Sequence, residues 1–170
     1  MTNKPHVAYG LITALVLILI SITTFLLKIN TESWVGWLSG IALVAGVVLS
    51  CIAFSKQAVG GTFGSIFANG FRTTAVITVI SVIFTVLLVY IFPDMKEQAL
   101  EAARKKMEQQ HQSEEVIEQG LAMTRKIFLP LIIGTTLFGN VMMGVIGSLI
   151  GAAIGKKNLK SASDLPSDNL

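Results

Sequence analysis

The side chains able to do chemistry within the apolar stretches of this chain are one amide and a row of hydroxyls. Thr74, Thr78, Ser81 and Thr85 follow one another at i, i+4, i+7 and i+11, so on a helix they line one face. Asn140 lies near the middle of another apolar stretch. Such groups donate and accept hydrogen bonds but do not ionise at neutral pH. Two uses follow. Asn140 can bond across to the hydroxyls between Thr78 and Thr85 and tie two helices together. Alternatively the same groups can line a polar path for a small neutral solute. The first use is the expected one, because hydroxyls on helices commonly satisfy themselves on their own backbone.

Other chemistry lacks its residues. Cys51 is the single cysteine and has no partner for an intrachain disulfide. His6 and His111 are too far apart in sequence to suggest a His/Cys metal cluster. Gly60-Gly61-Thr62-Phe63-Gly64 lacks the Gly-Lys-Ser/Thr ending of a phosphate-binding loop, and zinc-protease motifs are absent. The net charge of +3 is small and scattered, so no nucleic-acid partner is expected. Neither a cofactor, a metal nor a catalytic residue is expected, and the chain does not read as an enzyme.

The elements that must hold these groups are set by composition. Hydrophobic residues make up 52% of 170 residues and charged residues 14%, with mean hydropathy +0.70. A soluble domain carries about 25% charged residues. Four stretches, 7–27, 33–55, 73–93 and 127–155, contain no acid, base or histidine. About 20 apolar residues span the hydrocarbon core, and in lipid an isolated span must be helical to satisfy its backbone. The expected fold is therefore an all-α membrane protein, a four-transmembrane-helix bundle over residues 1–155, with the lipid bilayer as its first partner. The first stretch is longer than the apolar core of a secretory signal and is read as a retained span. Proton relays and ion-coupled pumps place ionisable groups at depth; their absence argues against both.

The connections differ in character. Lys28–Glu32 is short and predicts a tight hairpin, with Trp34 and Trp37 at the membrane interface. Gly60-Gly61 should break the helix before Thr62. Phe63, Ile66, Phe67, Gly70 and Phe71 then share one helical face, which predicts a short interfacial helix turning into span three at Arg72. It reads as an anchor for span three, or else as a gate or docking element. Segment 94–126 holds 13 of the 23 charged residues and predicts a charged helical hairpin or bent helix outside the membrane. There Asp94 and Glu97 form a capping box, Glu101 pairs with Lys105, and a second helix starts at Ser113. Met95, Ala99, Ala102, Ala103 and Met107 give it a thin apolar side. A kink is expected near Pro130, and 156–170 should be a flexible polar tail.

Small residues supply the packing signal. Gly147, Gly151 and Gly155 recur every fourth position, beside Gly144, Ser148 and Ala152, and Gly36 and Gly40 repeat the spacing in span two. Such ridges let helix backbones approach closely. They serve packing within one bundle, the preferred reading, or self-association into a homo-oligomer.

Lys4, Lys56, Arg72, Lys156, Lys157 and Lys160 lie on one side of the four spans. The opposite side has seven bases to these six, but six of the seven are mixed with seven acids in segment 94–126. Both termini are accordingly placed in the cytoplasm.

The segment Thr62-Phe63-Gly64-Ser65-Ile66-Phe67-Ala68-Asn69-Gly70-Phe71-Arg72, running on to Tyr90-Ile91-Phe92-Pro93-Asp94, resembles the domain of unknown function 4199 family. These are small four-span bacterial membrane proteins, found mostly in Bacteroidetes. The resemblance covers nearly the whole chain and implies a bacterial inner-membrane location. It implies no activity, cofactor or site residue. The expected function is a non-enzymatic scaffold or accessory subunit that self-associates or binds another membrane protein. The alternative is a passive pore or transporter for a small neutral solute.

Overall fold

The structure is a computed structural model, and it describes residues 4–29, 32–57 and 61–157. Six helices follow in order: α1 (Pro5–Leu26), α2 (Ser33–Gln57), α3 (Phe63–Ile91), α4 (Asp94–Gln109), α5 (Glu114–Lys126) and α6 (Phe128–Lys156). Among the described residues there is no strand. α1, α2, α3 and α6 are each long and apolar enough to cross a membrane.

Local signals set the helix ends. α1 opens on Pro5, which needs no amide partner in a first turn. It closes with Lys28 in the left-handed region at φ 58°. The Ile29 N–H donates to Thr24 O and the Lys28 N–H to Phe25 O, each at 3.0 Å, so the last carbonyls are satisfied. His111, at φ 56°, closes α4 in the same way, with Gln112 N–H on Met107 O and His111 N–H on Glu108 O. α3 starts at a reciprocal cap: Ser65 N–H donates to Thr62 Oγ1 and Thr62 N–H to Ser65 Oγ. Gly60 of the expected helix break lies outside the described residues. So does the tail beyond residue 157.

Three expectations change. No separate helix precedes span three: Phe63 to Ile91 is one uninterrupted helix of 29 residues, about 43 Å long at 1.5 Å per residue. Nothing breaks the helix at Arg72: no proline lies there, and the buried face of Ile66, Asn69, Gly70, Thr73 and Thr74 packs against the bundle on both sides of it. In α4, Asp94 is not the cap. Pro93 takes that place with helical φ and ψ, and Asp94 and Glu97 sit in the first turn without a side-chain cap bond. Pro130 falls in the first turn of α6, where its missing N–H would have had no partner, so the helix runs on to Lys156. Ser113 does precede α5, and Glu101 does pair with Lys105 at 3.1 Å.

The four long helices run up, down, up, down. α2 and α3 touch each other, and α1 and α6 each pack against both. Phe25 and Phe92 meet at 5.1 Å between ring centres, at the same end as the α4–α5 hairpin. The described chain ends lie at the opposite end. Leu43, Val47, Cys51, Ile66, Ile77 and Ala152 form the buried core. Large apolar side chains point outward instead: Ile12, Ile41, Ile83 and Phe138 are 56–68% exposed. That distribution suits lipid, where close approach of small residues replaces the hydrophobic effect between helices.

Candidate functional site

The glycine ridge of α6 is consumed inside the chain. Gly147, Gly151 and Gly155 are buried, as are Gly144, Ser148 and Ala152. A Cβ at Gly147 would stand 3.3 Å from the Val44 backbone, and one at Gly151 would stand 2.7 Å from Cys51 Cβ and 3.1 Å from Val48 Cα. A Cβ at Gly155 would meet Ile66 and Ser55 at 3.2 Å. Gly144 accepts the side chain of Thr74. α2 and α3 therefore occupy the face that the spacing offers for close approach. Gly40 meets only the flexible end of Met143, and a Cβ at Gly36 would meet nothing within 4 Å. Gly46, absent from the sequence reading, takes Thr13 of α1 against its backbone.

The hydroxyl row of α3 splits. Thr74 is buried and donates to Gly70 O at 3.1 Å. Thr78 is buried with its Oγ1 unpartnered, beside a groove that α3 forms with Leu137 and Val141 of α6. Ser81 and Thr85 turn into a cavity of about 350 Å³ bounded by all four long helices, and Asn140 lines the same cavity. The structure thus brings Asn140 to Ser81 and Thr85 but forms no bond between them. Asn140 Nδ2 is buried without a partner. A buried donor left so costs about 1–3 kcal/mol.

Ser21 of α1, Ser39 of α2 and Thr136 of α6 complete the polar lining, and Gly36 and Gly139 form part of the wall. Beyond its chain neighbours and its own helix backbone, neither glycine has an atom within 4 Å of where its Cβ would be. Ser21, Ser39 and Thr136 were missed because none belongs to a long row of hydroxyls at helical spacing like the one from Thr74 to Thr85. A second recess of about 290 Å³ shares Ser21 and Ser39 and is lined further by Met95 and Ala99 of α4.

A denser polar cluster lies nearer the other end of the bundle. Asn69, Ser50 and Thr73 are each no more than 1% exposed. Asn69 Nδ2 donates to Ser50 Oγ at 3.0 Å and to Ser50 O at 3.2 Å. Thr73 Oγ1 donates to Asn69 O at 2.9 Å and lies 2.7 Å from Ser50 Oγ. Each hydroxyl has one proton, so Ser50 must donate to Thr73 and the circuit closes on Asn69. Reading Phe63–Phe71 as a separate helix hid it. On one continuous helix Ile66, Asn69, Gly70, Thr73, Thr74, Ile77 and Thr78 form a single buried face.

The charged segment is an antiparallel hairpin. Leu100 and Ile117 are its buried residues. Arg104 bonds Glu108 at 3.1 Å and also reaches Glu114, and Arg125 bonds Glu97 at 2.9 Å. The Glu114 charge, with the Glu108 bond, holds the Arg104 guanidinium above its ordinary pKa. A trough of about 570 Å³ runs along the pair, with Leu100, Leu121 and Ala122 beneath charged rims that include Arg104 and Glu118. Among the described residues no three His, Cys, Asp or Glu come together to hold a metal.

Four apolar spans around an uncharged polar interior define a multi-pass helical membrane protein. Residues 8–157 match the family described as protein of unknown function (DUF4199), and the chain belongs to that family. No curated protein and no solved structure matches the chain.

Proposed function

We propose that this protein is a non-enzymatic scaffold or accessory subunit of a bacterial inner membrane. In this reading both termini are cytoplasmic and the α4–α5 hairpin stands outside the membrane on the opposite side. The first turns of α3, with Phe63 and Phe71 exposed, lie at the headgroup level and carry Arg72.

The hairpin trough supports the reading most directly. Its apolar floor and charged rims suit an amphipathic helix of a partner, which would bury its apolar stripe on Leu121 and Ala122 and match charges along the edges. The hairpin brings its own ion pairs and its own buried side chains, so presenting the trough does not disturb the bundle.

The full chain should leave the membrane in mild detergent with a stoichiometric second protein, or as a homo-oligomer. Leu121→Glu with Ala122→Glu should release that complex while the bundle stays folded. A lone monomer, identical in mass for wild type and variant, overturns the proposal.

A further inference from the structure

We infer that the cavity between the four long helices is a binding site for a small neutral polyol, distinct from the hairpin trough. Three observations carry it.

The first is the state of the hydroxyls. Several hydroxyls elsewhere on these helices are spent on their own backbone: Thr24, Thr74, Thr135 and Ser148 donate to carbonyls four residues earlier, at 2.7–3.1 Å, whereas Thr78 is left without a partner beside a separate groove. Ser21, Ser39, Ser81, Thr85 and Thr136 make no such bond and face the cavity. Asn140 Nδ2 joins them as a buried donor without a partner. A ligand here finds hydroxyls that both donate and accept and an amide that donates. A polyol has the matching set, because each of its hydroxyls also does both.

The second is charge. No residue lining the cavity is ionisable. A charged ligand would lose its water without gaining a counter-ion, which is strongly unfavourable at membrane depth. The site therefore selects for a neutral molecule.

The third is how the space is made. α2 and α6 run parallel and close on each other where Gly147 and Gly151 meet Val44 and Val48. One and two turns further along, Gly40 and Met143, then Gly36 and Gly139, stand at the same levels and line the cavity. At Gly36 and Gly139 the space where a side chain would be is open. The volume of about 350 Å³ falls at the small end of the range for small-molecule sites. Ser21 and Ser39 also line the adjoining recess beneath Met95 and Ala99, so the cavity borders that recess on its hairpin side.

The test uses the full chain in nanodiscs and equilibrium dialysis with labelled glycerol and labelled uncharged hexitol. At least one should bind saturably, and glycerol phosphate should bind at least tenfold more weakly than glycerol or the hexitol that binds. Gly139→Ile, which fills the cavity, and Asn140→Leu, which removes the donor, should each weaken binding at least tenfold. Gly134→Ile is the control: it lies on the same helix, also meets nothing within 4 Å, and does not line the cavity. It should bind as wild type does. Absence of saturable binding to both polyols overturns the inference. So does equal binding by Gly139→Ile, or an equal loss in Gly134→Ile. Partner release by the Leu121 and Ala122 variants is read separately, so either proposal can fail without the other.

Discussion

At the scale of single residues, two polar groups of the bundle stand in contrast. Asn69, Ser50 and Thr73 form a closed hydrogen-bond circuit between α2 and α3. Asn140 and the cavity hydroxyls form none. The first group stabilises through its donors, each of which has an acceptor, while Asn69 Oδ1 is left buried without a partner. Thr73→Val keeps the shape but leaves the Ser50 proton without its acceptor. It should lower stability in detergent by about 1 kcal/mol, near the upper part of the range for such bonds in membranes. Thr135→Val serves as the control, since Thr135 is exposed and bonds only to its own helix; thermal unfolding of the two variants checks the difference. Asn140 was legible in the sequence as a buried amide. Its lack of a partner was not, because spacing along one helix does not say where the facing helix puts its acceptors.

At the scale of elements, the ridge of α6 decides how tightly the bundle closes. Gly151→Ala should destabilise by about 1–3 kcal/mol, because its Cβ would stand 2.7 Å from Cys51 Cβ and 3.1 Å from backbone at Val48. Gly134→Ala should be neutral or stabilising by up to about 1 kcal/mol, the gain in helix propensity, since nothing surrounds that site. Unfolding midpoints in one detergent compare them directly. A larger residue at Gly151 would break the bundle before it reported on self-association, so loss of an oligomer in Gly151→Leu would not locate an interface. The continuous α3 teaches a related point. The face of Phe63, Ile66, Phe67, Gly70 and Phe71 suggested a separate surface helix, yet Ile66 and Gly70 of that face, with Asn69 and Thr73 beside them, pack into the bundle and carry the helix straight through.

At the scale of the whole molecule, four spans put the described ends and the hairpin at opposite ends of the bundle. A cysteine introduced at Gln112, in the hairpin turn, should react with an impermeant thiol reagent from one face of the membrane only. A cysteine at Lys157 should react only from the other. Cys51 does not confuse the assay, being fully buried. Labelling of both positions from the same face would contradict the four-span arrangement, and the face that labels Lys157 fixes the orientation.

The sequence by itself determined the spans, the charged helical segment between the third and fourth, and the presence of close-packing ridges. Each depends on residues near one another in the chain: runs without charge, Glu101 with Lys105, glycine every fourth position. Only the tertiary structure decided what the ridges touch, that Asn69 closes a circuit with Ser50, and that hydroxyls from four helices open onto one cavity. Those outcomes depend on helix register. A shift of one helix along its neighbour by a single turn, about 5.4 Å, would pair Gly151 and Asn140 with different residues and leave the sequence pattern unchanged.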